Sequence, residues 1–445
     1  MRNKSAEFFA AIDEVYNESV PSEVMARARR SLLDYLAVTC AGCKFQENKL
    51  NDYYAFAEPE TGAFPIIGAG RHVSLKESVF VNGLNAHALD FDDGTNSGII
   101  HLGSPIFSLL LPLAMRYKIS VEDMLKAAIT GYEASYTMAV SIQPGHKAMG
   151  YHATGTCGVI GATLAAAYML GFSEEERFNA FATACVSASG MLKVLDDGSE
   201  LKPYNVAKTS LLALTSLQLA KAGFKGHEDP LGGRGFLKMM TGSEDTELKS
   251  VWQNGSYAIM KSYTKPYASC RYTHPPVEAA IKMRTLLDAD EIDEIIIKTY
   301  DLAVGGHDHT EIPSTYSAKM STPYATAVAF LFGKAGFGEF SEELIRDEQV
   351  LKLCRKVRVE PDDELSAVFP GVQSAIVKIV SGENEHICRV DFPKGEPENP
   401  LSDEEFRERY DDLMKLGGIS DEVADKIFGL VCRSESMAEE LMELF

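Results

Sequence analysis

Three carboxylates stand within four positions at Asp90, Asp92 and Asp93, with His87 before them and His101 after. Carboxylates this close repel one another unless cations or hydrogen-bond donors lie against them. A carboxylate held among others can have its pKa raised and then serve as an acid or a base. The three-residue spacing of His87, Asp90 and Asp93 predicts a shared helix face if the helix continues through them. His101 follows in a Gly-rich loop. The run has the acids of a calcium loop but not its sixth-position Gly, and His101 stands where the twelfth-position Glu belongs. A metal-dependent helical hydrolase using His87, Asp90, Asp92 and Asp93 is one reading of these residue types.

Four further stretches carry reactive groups. In GYHATGTCG (150–158), His152 precedes a predicted small-residue helix whose free amides can bind a carboxylate. In SELKPYNVAKTS (199–210), Lys202 precedes Pro203, which predicts an extended or turn backbone and not a mid-helix position. In YTKPYASCRYTHPPVEAA (263–280), Lys265, Arg271 and His274 bring three basic side chains together at a change in composition. Arg can hold a carboxylate bidentately, and Lys adds a point charge. In AKMSTPYATAVAF (318–330), Tyr324 opens an apolar helix.

The elements that position these groups fall into two kinds. Residues 1–262 read as helical. Ser120 with Asp123 and Ser173 with Glu176 fit capping boxes ahead of apolar-periodic runs. After residue 262, β-branched runs appear at 294–300, 356–360, 374–380 and 386–392, the last two joined by a predicted hairpin turn over 381–385. Helical patterns alternate with them. Pro397, Asn399 and Pro400 then break the chain, and Ser402 with Glu405 restarts a helix. The fold class expected is mainly α with an α+β second domain: a large helical domain from 1–262 and 398–445, and a smaller α+β lid from 263–397.

Composition narrows the function. The 445 residues carry 43 Lys+Arg against 64 Asp+Glu, a formal net charge of −21. That balance argues against nucleic-acid binding, which needs clustered cations, and against an anionic membrane surface. The N-terminal stretch lacks the apolar core of a secretory signal. The weakly polar run 158–172 is too short to span a bilayer. The eight Cys are dispersed apart from Cys40 and Cys43, which read as core thiols. A cytoplasmic, reduced protein is the expectation.

Six stretches together resemble the MmgE/PrpD family over nearly the whole chain: LDYLAV (33–38), NGLNAHALDFDDG (82–94) with His101, GYHATGTCGVIGA (150–162), LKPYNVAK (201–208), KPYASCRYTHP (265–275) and AKMSTPYATAVAF (318–330). The family includes 2-methylcitrate dehydratases, cis-aconitate decarboxylases and iminodisuccinate epimerases. The resemblance implies a homodimer without metal or organic cofactor, a site between the domains, and a small anionic carboxylate as substrate. It implies catalytic roles for Asp90, His101, His152, Lys202 and Tyr324, and substrate binding by Lys265, Arg271 and His274. The implied activity is that of a lyase, a dehydratase or decarboxylase of an acid such as 2-methylcitrate or cis-aconitate, with an epimerase of an iminodisuccinate-like acid as the alternative. Negative charge building beside a carboxylate is the shared chemistry, and fixed cations stabilise it. The chain departs from the family's pattern at Gly94, Asn205 and Ala207, which points to a divergent subgroup.

Overall fold

Helix starts follow the cap chemistry. The computed structural model describes residues 3–56, 61–195, 199–249, 252 and 255–445. Ser173 accepts from the Glu176 amide while the Glu176 carboxylate accepts from the Ser173 amide, and Ser402 does the same with Glu405. Ser120 caps through the Asp123 amide, but its hydroxyl donates back to Asp123 Oδ2. Asp is one methylene shorter than Glu and meets the hydroxyl instead of the cap amide.

The helical body contains α1 (Ser22–Phe45), α2 (Leu75–His87), α3 (Gly103–Tyr117), α4 (Val121–Ile142), α5 (Gly158–Met169) and α6 (Lys202–Lys221). Small residues set how closely these helices approach. A Cβ on Gly161 of α5 would collide with the Ser135 hydroxyl and the Gly131 carbonyl of α4. α6 packs on α2, where Gly83 meets the Ala207 backbone. That contact brings the first residue of α6, Lys202, to the loop that leaves α2. A hairpin of β1 (Thr61–Ile66) and β2 (Arg71–Val73) interrupts the helical half. Its pattern is hidden by Pro65 and by the exposed residues of its outer ends.

Beyond the body, α7 (His274–Met283) and α8 (Thr322–Phe332) pack on a four-stranded sheet. The strands are β3 (Glu294–Thr299), β4 (Val357–Pro361), β5 (Ala375–Ser381) and β6 (Asn384–Val390), in the order β4-β3-β5-β6. β3 runs parallel to β4 and antiparallel to β5. Ile295, Ile297, Val377 and Ile379 turn inward at alternate positions. The β5–β6 turn is tighter than its composition suggests. Ser381 pairs with Asn384, leaving Gly382 and Glu383 as the loop, and Gly382 takes the positive φ of 57° that such a turn requires. The mainly α architecture with an α+β second part is therefore present.

The chain then returns. α9 (Asp403–Leu416) packs on α1. Its Arg409 guanidinium pairs with buried Asp34 of α1, and also donates to the carbonyls of Phe91 (2.9 Å) and Lys265 (2.7 Å). One buried side chain thus ties together two segments that carry candidate site residues. Among the described residues, no helix is long and apolar enough to cross a membrane.

Candidate active site

α2 ends at His87, so the shared helix face does not form. Asp90 takes a left-handed φ of 51° and Ile99 one of 50°. For a β-branched residue such as Ile this conformation costs about 1–3 kcal/mol and persists only where the surroundings fix it. The loop is fixed by short bridges, Gly94 to Tyr263 and Thr95 to Ile100.

The loop gives each of the three acids its own partners. Asp93 accepts from the Tyr132 hydroxyl (2.6 Å) and the Gly103 amide (2.9 Å), so it anchors the start of α3. Burial pushes its carboxyl up to about 6, against the pull of those donors. Asp92 accepts from Ser104 (2.6 Å) and lies 2.7 Å from His87 Nδ1. Burial drives His87 down to about 4. His87 is therefore neutral, and this contact is a hydrogen bond from its Nδ1–H and not an ion pair. Asp90 alone meets the cations. Lys202 Nζ stands 2.8 Å and Lys265 Nζ 2.9 Å from its Oδ1. Burial by itself would raise Asp90, but these two ammoniums outweigh it and hold the carboxyl well below its ordinary range. In return, Asp90 raises Lys202 against the opposite effect of burial.

The backbone positions each cation. Lys202 is the first residue of α6, with Pro203 behind it, the place in a helix where a proline costs nothing. Lys265 also donates to the Asp90 carbonyl (2.5 Å) and the Ser269 carbonyl (3.3 Å). It is 1% exposed, so all its hydrogen-bonding capacity is used inside the protein.

His101 donates from Nδ1 to the Asp93 carbonyl at 2.9 Å, which leaves Nε2 as the free ring nitrogen, 3.9 Å from Asp90 Oδ1. The His87 ring packs edge-on against His101 at 4.5 Å. His152 precedes a short turn at Ala153–Thr156, and Cys157 separates that turn from α5. The predicted long helix is thus broken in two. Burial, reinforced by Lys202, holds His152 well below its ordinary pKa, and its Nδ1 has no hydrogen-bond partner among the described residues.

One cleft gathers Asp90, His101, His152, Lys202, Lys265 and Arg271. The other two candidates lie elsewhere. Tyr324 sits in the first turn of α8, fully buried, and its hydroxyl donates to the Glu339 carbonyl at 2.9 Å. His274 lies against the Tyr267 ring and the Ser269 carbonyl. Neither lines the cleft. Arg271 pairs with buried Glu396, whose second oxygen accepts from Asn96 at 2.8 Å. Glu396, Lys147 and Tyr272 escape a reading of the sequence. Glu396 lies in a Pro- and Gly-rich break, and Lys147 sits in PGHKAMG, where nothing distinguishes it from a surface lysine.

Ligand-type atoms of His87, Asp90, Asp92 and His101 lie within 4.8 Å of one another. Two ammoniums already stand against Asp90 and would repel a metal ion there. Asp93, the fourth ligand expected from the spacing, is engaged with Tyr132 and Gly103.

The pattern of the MmgE/PrpD N-terminal domain matches residues 6–249, and that of the MmgE/PrpD C-terminal domain matches residues 267–430. The chain belongs to the MmgE/PrpD family. Among curated relatives, it is 26% identical over 440 residues to a cis-aconitate decarboxylase of Aspergillus terreus, covering 91% of this chain and 87% of the relative. It is 24% identical over 407 residues to the cis-aconitate decarboxylase of Mus musculus, covering 87% and 82%. The corresponding Homo sapiens protein is 23% identical over 430 residues, covering 92% and 87%.

Proposed function

We propose that this MmgE/PrpD protein is a cofactor-independent lyase that acts on a small di- or tricarboxylate, and that it releases carbon dioxide from a cis-aconitate-like acid. The observation that carries this reading is the Asp90 carboxylate held between Lys202 and Lys265 on the floor of a cleft that His101 and His152 also line. A substrate carboxylate seated on the Lys202 ammonium, with Lys265 adding its charge from behind through Asp90, accepts the electron pair left when the carbon–carbon bond to the departing carboxylate breaks. The charge forms where fixed cations already stand, so little reorganisation accompanies the step. His101 delivers to carbon, through Nε2, a proton taken up there from solvent; Nε2 is the nitrogen not committed to the Asp93 carbonyl. Neutral His152 accepts a hydrogen bond or a proton within the same cleft. The names of the relatives support decarboxylation over dehydration, and the ionised state of Asp90 removes it as the acid that a leaving hydroxyl needs.

Proton NMR of the protein with cis-aconitate, 2-methylcitrate, citrate and iminodisuccinate in deuterated water tests this. The expected result is loss of carbon dioxide from cis-aconitate with one deuterium placed on carbon. Exchange of solvent deuterium without loss of carbon dioxide or water would instead assign an epimerase.

A further inference from the structure

The cleft has a second positive pole. Among the described residues, Lys147 has no carboxylate within ion-pair distance; its Nζ donates to the Tyr272 hydroxyl and lies 4.0 Å from the centre of that ring. Lys147 is only 9% exposed, and both it and Tyr272 line the cleft. Its neighbours supply little compensation. The Lys147 amide is held by Gln143 Oε1, and Arg271 nearby is matched by Glu396. At the other end, Lys202 and Lys265 share one carboxylate, Asp90, so that group also carries an unmatched positive charge. Burying an unmatched ammonium is unfavourable, and burial pulls Lys147 down to about 8. Proteins retain such a group where a ligand completes it. A carboxylate that reached Lys147 and Tyr272 would receive one charge-assisted and one neutral hydrogen bond. Lys202, Lys265, Lys147 and Tyr272 all line this one cleft, so both poles face the same bound molecule.

We propose that Lys147 and Tyr272 form a second carboxylate-binding site in the cleft, distinct from the Lys202–Lys265 pair, and that together the two poles select acids with at least two carboxylates. The proposal rests on the reading of the cleft as a carboxylate site. It adds a consequence for a tricarboxylate. Two poles hold two carboxylates, and the third has no unmatched cation to pair with. That third group is left to the uncharged part of the lining, which includes Ile99, Ile100 and Leu192, and it is the one that departs as carbon dioxide.

The test uses acids that cannot react, so it does not depend on turnover. Titration calorimetry compares butanedioate with butanoate on the wild-type protein and on Lys147→Gln, Lys147→Arg and Tyr272→Phe. The wild type is expected to prefer the diacid. Lys147→Gln should weaken diacid binding about tenfold or more, the worth of one charged hydrogen bond, and leave butanoate within about twofold. Lys147→Arg should keep the preference. Equal weakening of both acids, or no change in either, overturns the proposal. If Lys147→Gln fails to give a cooperative melt, Tyr272→Phe decides by the same criterion: selective loss of diacid affinity supports the site, and a uniform or absent effect refutes it. Should the panel acids prove not to be turned over, this binding result still stands by itself.

Discussion

Lys202 Nζ and Lys265 Nζ approach the same oxygen, Asp90 Oδ1, at 2.8 and 2.9 Å. Their helices and loops come from sequence positions more than sixty residues apart, and Asp90 is the only carboxylate that either contacts among the described residues. The carboxylate does two things at once. It raises the pKa of Lys202 against the effect of burial, and it holds the two ammoniums side by side on one oxygen.

Asp90→Asn isolates the charge from the backbone, because Asn tolerates the left-handed φ of 51°. The variant leaves two ammoniums around a neutral amide. It should lose about 3–5 kcal/mol of stability, the usual result of breaking a buried ion pair from one side. Turnover should fall at least about a hundredfold. Urea unfolding and the NMR assay report the two effects separately. Turnover within about twofold of wild type would remove Asp90 from the reacting centre.

His101→Gln separates proton delivery from ligand binding. Gln can donate to the Asp93 carbonyl as the imidazole Nδ1 does, but it has no nitrogen that titrates. The rate of product formation should drop about 10²- to 10⁴-fold. Binding of unreactive butanedioate should change little, because Lys202, Lys265 and Lys147 remain. A variant that binds more weakly yet turns over normally once saturated would give His101 a binding role only.

Lys319 buries an amine with no hydrogen-bond partner among the described residues, 1% exposed, over the rings of Phe45 (4.5 Å), Tyr316 (5.6 Å) and Phe337 (5.7 Å). Burial lowers its pKa to about 7 from the ordinary 10.5; Asp90 opposes the shift, and Lys265 and Lys202 add to it. The folded state thus binds fewer protons than the unfolded chain between pH 7 and 10.5. Stability from this group rises with pH across that window, and the penalty is fully present below pH 7. Lys319→Met keeps the length of the side chain and removes the amine. It should be more stable than wild type by several kcal/mol at pH 7, with the difference shrinking towards pH 10. Chemical unfolding at pH 7 and pH 9.5 measures both. A gain that stayed constant with pH would show that packing and not protonation is responsible.

How much of this was legible in sequence depends on the range of the interactions. The strands of the sheet announced themselves, because β-branched alternation is a local property, and so did the boxes at Ser173 and Ser402. Taken singly, Lys202 reads as a surface lysine and His152 as a helix-start side chain; with Lys265, they are marked by the order and spacing of the six stretches that resemble the family. Tyr324 shows the limit. A Tyr opening an apolar helix reads the same whether its hydroxyl points to a cleft or to the Glu339 carbonyl, and only tertiary packing decides. The spacing of His87, Asp90 and Asp93 suggested one helix face, yet the chain leaves the helix at His87 and each acid finds a separate partner. Lys147 and Glu396 acquire their places from long-range contacts with Tyr272 and Arg271, for which no local pattern exists.

Glu396 offers the sharpest test of how charge is distributed in the cleft. It neutralises Arg271 with one oxygen and accepts from Asn96, on the loop after α2, with the other. Glu396→Gln leaves the Arg271 guanidinium without its carboxylate, and stability should fall by about 3–5 kcal/mol. The freed guanidinium is a third positive pole. It should bind the third carboxylate of propane-1,2,3-tricarboxylate and tighten that ligand relative to butanedioate. The same change should slow carbon dioxide release from cis-aconitate, because a carboxylate paired with a cation in the ground state is stabilised before the bond breaks and not after. Tighter tricarboxylate binding together with a lower kcat is the expected pair of results. A lower kcat with unchanged relative affinities would mean that Glu396 acts only by holding Asn96 and the loop in place.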